Sequence, residues 1–216
     1  MRTELQTIVS EPFMQNSTVL WKSGQSQALV FDPGMDPEAI LDVLVSNNLT
    51  LAAILLTHGH ADHIAGNAVL KAAFPDAPIV IGVNEAALLT DAELNLSAAF
   101  GVPFTSPPAD RLIHDGEIIE YAGWSMEVLE IPGHSPGHVV FRIAELQPQI
   151  IIGGDVLFRG GIGRTDFPGG SMKQLLSGIH QKLRPLPEDT VIYPGHGPVT
   201  TLGHEWRTNQ FLTIKT

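Results

Sequence analysis

The chain predicts a mixed α/β fold, and three observations carry that expectation. Apolar runs of strand length recur along it, each closed by a turn rich in glycine or proline. Between several of them lie segments with apolar residues at helical spacing, some opened by capping residues. The composition, 44% hydrophobic against 16% charged over 216 residues, suits a compact protein with a sizeable core. No linker or low-complexity stretch interrupts the chain, so residues 1–216 are read as a single domain.

Leu5 to Val9, Ser17 to Trp21 and Gln27 to Phe31 read as strands, with Ser23-Gly24 as a hairpin turn. Asp32-Pro33-Gly34 ends the third. Asp36 then caps a helix that has Pro37 at its first position and Ile40, Leu41, Leu44 and Val45 at helical spacing. Leu51 to Leu56 is a buried strand, followed by a helix over about 64–74 that stops at Pro75. Pro78 to Val83 reads as a strand and 84–89 as a short helix. Residues 91–110, with Gly101, Pro103, Pro107 and Pro108, lack periodicity and read as a loop or lid containing some helix. Strands at 112–113, 117–121 and 126–131, turning at Asp115-Gly116 and Ala122-Gly123, form an expected meander. Strands at 138–143 and 149–152 follow, then a helix over about 172–183 and a last strand at 191–193.

Twelve basic against 23 acidic residues give a net charge of −11, and no run of Lys or Arg offers the footprint that nucleic acids need. No stretch of 18 apolar residues exists to cross a bilayer, and the N-terminus lacks an apolar leader. A cytoplasmic protein without nucleic-acid or membrane partners is therefore expected; the oligomeric state is left open. The chain has no cysteine, so any metal must be held by His, Asp or Glu.

Such donors are concentrated at one point. Thr57-His58-Gly59-His60-Ala61-Asp62-His63 places three imidazoles and a carboxylate directly after the strand at 51–56. Three other strands end in the same way, at Pro132-Gly133-His134, Gly153-Gly154-Asp155 and Pro194-Gly195-His196. The ends of strands in open α/β sheets are where sites form. His58, His60, Asp62, His63, His134, Asp155 and His196 make seven donors, too many for one tetrahedral ion and suited to two that share a bridge.

This pattern resembles the metallo-β-lactamase superfamily across essentially the whole chain, and most closely its glyoxalase II (hydroxyacylglutathione hydrolase) branch in a short form without the C-terminal helical domain. Gly163-Arg164-Thr165-Asp166-Phe167 and Tyr193-Pro194-Gly195-His196-Gly197 are further stretches similar to those enzymes and to the related persulfide dioxygenases. The resemblance implies a four-layer αββα sandwich of two mixed β-sheets. It implies His58, His60 and His134 around a first cation, Asp62, His63 and His196 around a second, and Asp155 between them. Zinc is the first expectation for both ions, with iron or manganese as alternatives. Asp32 matches a position that supports the site; as a sequence feature it is equally a turn-forming residue before Pro-Gly.

The implied activity is hydrolysis of a thioester, an acylglutathione such as S-lactoylglutathione, by water that the cations make nucleophilic, with Asp62 orienting it. A mononuclear-iron persulfide dioxygenase and a lactone hydrolase are the alternatives on the same ligands. Arg164 either clamps a substrate carboxylate or is a surface arginine in a flexible loop. His138 reads as a supporting or structural histidine, His114 as a turn residue, His180 as solvated, and His204 as part of a cap on a last helix. Arg207 and Asn209 are weaker candidates for substrate contact.

Overall fold

Successive residues of a strand point to opposite faces, so a strand covered on both sides must be apolar at every position. Leu29-Val30-Phe31 and Ile54-Leu55-Leu56 meet that requirement, and the computed structural model, which describes residues 2–213, buries all six. The strands β1 (Thr3–Ser10), β2 (Gln15–Lys22), β3 (Gln27–Phe31), β4 (Thr50–Leu56), β5 (Ile79–Gly82) and β6 (Arg111–Ile113) form one sheet in chain order. The first three pair antiparallel, and β3 to β6 run parallel.

The second half supplies β7 (Ile118–Tyr121), β8 (Trp124–Glu130), β9 (Val139–Ile143), β10 (Ile150–Gly154), the small hairpin β11 (Leu157–Phe158) and β12 (Gly161–Ile162), β13 (Val191–Pro194) and β14 (Thr200–Thr201). A second mixed sheet has the order β14-β13-β10-β9-β8-β7, antiparallel except where β10 lies beside β13. The helices are α1 (Pro37–Ser46), α2 (Ala61–Ile64), α3 (Asn67–Ala73), α4 (Ala86–Leu89), α5 (Met172–Gly178), α6 (Leu202–Thr208) and α7 (Gln210–Thr213).

Side-chain alternation sorts the core into three slabs. Val30, Ile54, Leu56 and Ile81 pack with Ile40 and Leu44 of α1 and Leu70 of α3. Their neighbours Leu29, Phe31, Leu55 and Val80 meet Val139, Phe141 and Ile152 of the other sheet. Beyond it, Val140, Ile151 and Ile192 meet Leu175, Ile179 and Leu202. The order helix, sheet, sheet, helix is the expected four-layer sandwich. No helix among the described residues is long and apolar enough to cross a membrane.

Four local expectations are corrected. The helix over 64–74 is two pieces, α2 and α3, because Gly66 donates its N–H to Pro33 O at 2.8 Å and packs against the Pro33-Gly34 backbone. Residues 91–110 are a succession of turns with no helix; the side chains of Asn95 and Ser97 bond to Phe104, diverting the backbone from a helical ladder. Asp115-Gly116 is not a hairpin turn of a meander: there the chain crosses from β6 in one sheet to β7 in the other. The helix over 172–183 leaves α-geometry after Gly178 and ends in a π-helical turn. Asp36, by contrast, caps α1 as expected, accepting from Ala39 N at 3.3 Å.

Candidate metal centre

Strand direction brings the donors together. β8, β10 and β13 run the same way through their sheet, so His134, Asp155 and His196, just past their C-terminal ends, share one edge. The parallel strands β3 and β4 end at the facing edge with Asp32 and the Thr57 to His63 segment. Two backbone bonds lace the edges together, Val139 N to Thr57 O at 2.8 Å and Asn16 N to Gly195 O at 2.7 Å. Gly195 must be glycine here: a Cβ would lie 2.3 Å from Asp155 Oδ1 and 2.7 Å from the His63 ring.

All seven expected donors converge. His58, His60 and His134 present ligand atoms within 4.8 Å of one another, and so do Asp62, His63 and His196. Within the first group His60 Nδ1 and His134 Nε2 are 2.9 Å apart; in the second, His196 Nε2 and Asp62 Oδ2 are 3.2 Å apart. Asp155 lies between them. Its Oδ2 is 3.5 Å from His134 Nε2 and 3.6 Å from His196 Nε2, and its Oδ1 is 3.4 Å from His63 Nε2.

In four of the five histidines the outer nitrogen is tied down, which leaves the inner one free to bind. His134 Nδ1 donates to Arg164 O at 2.8 Å, His196 Nδ1 to Phe13 O at 3.1 Å, and His63 Nδ1 to Asp32 Oδ2 at 3.1 Å. Asp32 also accepts from the Thr57 amide and hydroxyl, both at 2.7 Å, so Thr57 Oγ1 is left to accept from His58 Nδ1 at 3.1 Å. Asp32 therefore does orient two of the histidines, and it does so from a left-handed backbone, φ 48°. Its carbonyl is pinned by Gln15 and Ser17.

A cation fits what remains. His58 Nε2, His63 Nε2 and Asp155 Oδ1 are buried and have no hydrogen-bond partner among the described residues. Buried polar atoms without partners are costly and uncommon, and here they belong to a set of donors facing one another. Charge is balanced to match. Burial holds His58 well below its ordinary value, brings His60 down to about 3, and lowers His134, so all three are neutral. Burial also opposes charge on His63 and His196, but Asp62 and Asp155 raise both. Asp155 stays low despite its burial because His63, His134 and His196 surround it; His63 and His196 do the same for Asp62.

The remaining candidates separate clearly. His138 stacks on His58 at 4.7 Å and accepts from the Asp155 amide at 2.9 Å, so it supports two donors. His114 is exposed in the sheet crossing, His180 lies exposed against Trp206, and the cap of α6 is Thr201 rather than His204. Arg207 pairs with Glu188, and Asn209 braces Gly161 and Glu205. The Arg164 guanidinium is exposed at the pocket mouth, bonded through two nitrogens to Asp166 and lying over Phe167.

Sequence reasoning missed Glu85. It is fully buried, and its carboxylate accepts from Gly59 N at 2.9 Å and Gly137 N at 2.6 Å. It thereby ties the His58–His60 loop to the loop after His134. A lone Glu at the start of a short helix gives no signal of this.

Two outcomes follow. Burial raises Glu85 from 4.5 to about 6, against the pull of its amide donors, so its charge costs stability above that range and the cost fades as pH falls. Glu85→Gln loses about 1–3 kcal/mol near neutrality through a misdirected amide. In urea unfolding the wild type should gain on the variant as pH drops from about 6 to 4.5; a constant gap contradicts this. Because His63 and His196 are both raised and a ligand imidazole must be neutral, loading metal near neutral pH should release protons. Calorimetry in buffers of differing ionisation enthalpy reads it, and no proton release contradicts the assignment.

The family model of the metallo-beta-lactamase superfamily matches residues 10–196. Hydroxyacylglutathione hydrolase GloC of Haemophilus influenzae is 39% identical over 206 residues, covering 94% of this chain and 95% of that protein. Among solved structures, BLEG-1 B3 metallo-beta-lactamase superposes with a TM-score of 0.92 at 39% identity, covering 98% of this chain and all of that one. TTHA1623, in a di-iron-bound form, superposes at 0.83 with 36% identity, covering 96% of this chain and all of that one. With sheet order, donor set and whole-chain similarity in agreement, the chain belongs to the metallo-β-lactamase superfamily, as a metallo-hydrolase.

Proposed function

We propose that the chain hydrolyses thioesters with a pair of divalent cations, its substrate an acylglutathione such as S-lactoylglutathione. The observation that carries this reading is the seven-donor centre with its inward, unpartnered nitrogens and oxygen. His58, His60 and His134 would hold one cation, Asp62, His63 and His196 the other, with Asp155 shared. The similarity to a protein solved in a di-iron-bound form supports a pair, of zinc or of iron. When bound, such cations bring the pKa of water toward 7 and polarise a carbonyl oxygen.

The chain's own residues do the rest. Burial keeps His58, His60 and His134 neutral, so no proton has to leave them before they bind. Asp62 is the more exposed of the two donor carboxylates, 18% against 10%, and lines the pocket, where it can orient the attacking water. The pocket wall is otherwise Phe13, Leu96, Phe100, Phe158, Phe167 and Arg164. It supplies no Lys, Tyr or Cys as a separate general acid. A thiolate leaves without one, whereas an alkoxide or amine needs its proton, and this favours thioesters over lactones and amides. The similarity to GloC points the same way.

With S-lactoylglutathione at millimolar concentration, thiol release should appear in metal-loaded protein and vanish with chelator. His58→Ala should lose at least about 100-fold in turnover while keeping its circular dichroism spectrum. Absence of metal-dependent thiol release contradicts the proposal. Oxygen uptake with glutathione persulfide, in its place, assigns the site to the dioxygenase class.

A further inference from the structure

We propose that an apolar groove beside the metal centre holds the acyl half of the substrate, and that among acylglutathiones it favours those whose acyl group is a longer apolar chain than lactoyl. The inference rests on the thioester reading above and names the part of the substrate that the protein selects. The pocket over the donors has a volume of about 300 Å³. A second cavity of about 270 Å³ adjoins it, lined by Phe13, Met35, Ala61, Phe100, Val102 and Phe104 among others. The two share Phe13 and Phe100, whose rings stand 5.1 Å apart and form the sill between them. Ala61 sits between His60 and Asp62, so the groove starts one residue from the donors.

The groove is built rather than incidental. Its wall at 96–104 is anchored to the centre by Ala61 N to Asn95 O at 2.8 Å, and closed on itself by Asn95 Nδ2 to Phe104 O at 3.0 Å. Its lining carries no charged side chain. Yet Met35, Phe100 and Val102 stay 36%, 51% and 68% exposed, an apolar surface at the mouth that binding an apolar chain would remove from water.

Charge argues for the same occupant. The one guanidinium in the wall of the reaction pocket, Arg164, is engaged by Asp166, and the chain carries a net charge of −11. The groove itself offers an anionic acyl group no cationic side chain to pair with, whereas an uncharged apolar chain needs none. The groove's position beside the reaction pocket, with Phe13 and Phe100 in the wall of both, assigns it to a substrate chain rather than to a second protein. The thiol half then points out toward solvent, past Arg164.

Binding separates this inference from the reaction. S-octylglutathione and S-methylglutathione are thioethers that the enzyme cannot hydrolyse. Titrated calorimetrically into the metal-loaded protein, the octyl compound should bind at least about tenfold tighter, a conservative fraction of what seven buried methylenes can contribute. Val102→Asp and Met35→Asp each place a carboxylate at the groove and should erase that preference while leaving S-methylglutathione binding unchanged. Equal binding of the two compounds, no binding of either, or a preference that survives both substitutions overturns the inference. Because no turnover is read, failure of thioester hydrolysis would sink the proposed function without producing any of these results.

Discussion

The structure depends on a buried meeting of opposite charges and lone pairs at the junction of two sheets. Five imidazoles and two carboxylates face one another there, several of them fully buried. Left alone, such a cluster would be a liability, since like groups repel and polar atoms go unpaired. The chain contains it by binding outer nitrogens to fixed acceptors. Asp32 receives His63 and Thr57, Thr57 receives His58, and the Arg164 and Phe13 carbonyls receive His134 and His196. What remains inside is a preformed receptor for positive charge.

The layers exist to hold that junction still. Val139 N to Thr57 O and Asn16 N to Gly195 O join the sheets within a few residues of the donors. Glu85 ties the His58–His60 loop to the loop after His134. Gly195 keeps the space beside Asp155 clear, where one methyl group would collide with the carboxylate. The Phe31 and Phe141 rings, 5.5 Å apart between the sheets, anchor the slab beneath.

Much of this was legible because the relevant signals are local. His58 to His63 and the three strand-turn-donor repeats announce the ligands, and the all-apolar strands announce two-sided burial. The four layers themselves came from the resemblance, since no local pattern distinguishes a sandwich from an open sheet. The errors arose where distant contacts overrule local chemistry. Asp115-Gly116 has hairpin composition, but β6 finds its partner in β5 and β7 in β8. Gly66 lies inside a helical pattern, but its amide is taken by Pro33. Glu85 acquires its role only when Gly59 and Gly137 come within reach, and the groove is assembled from segments around positions 13, 35, 61 and 102. No window of sequence contains these contacts.

The central claim is that the seven donors form two adjacent cation sites sharing Asp155. Elemental analysis of protein purified without chelator tests it most directly, comparing the wild type with His134→Ala and His196→Ala. The account predicts about two ions per chain in the wild type and about one in each variant, lost from the first site in one and from the second in the other. A single ion per wild-type chain, or two retained in either variant, would contradict it.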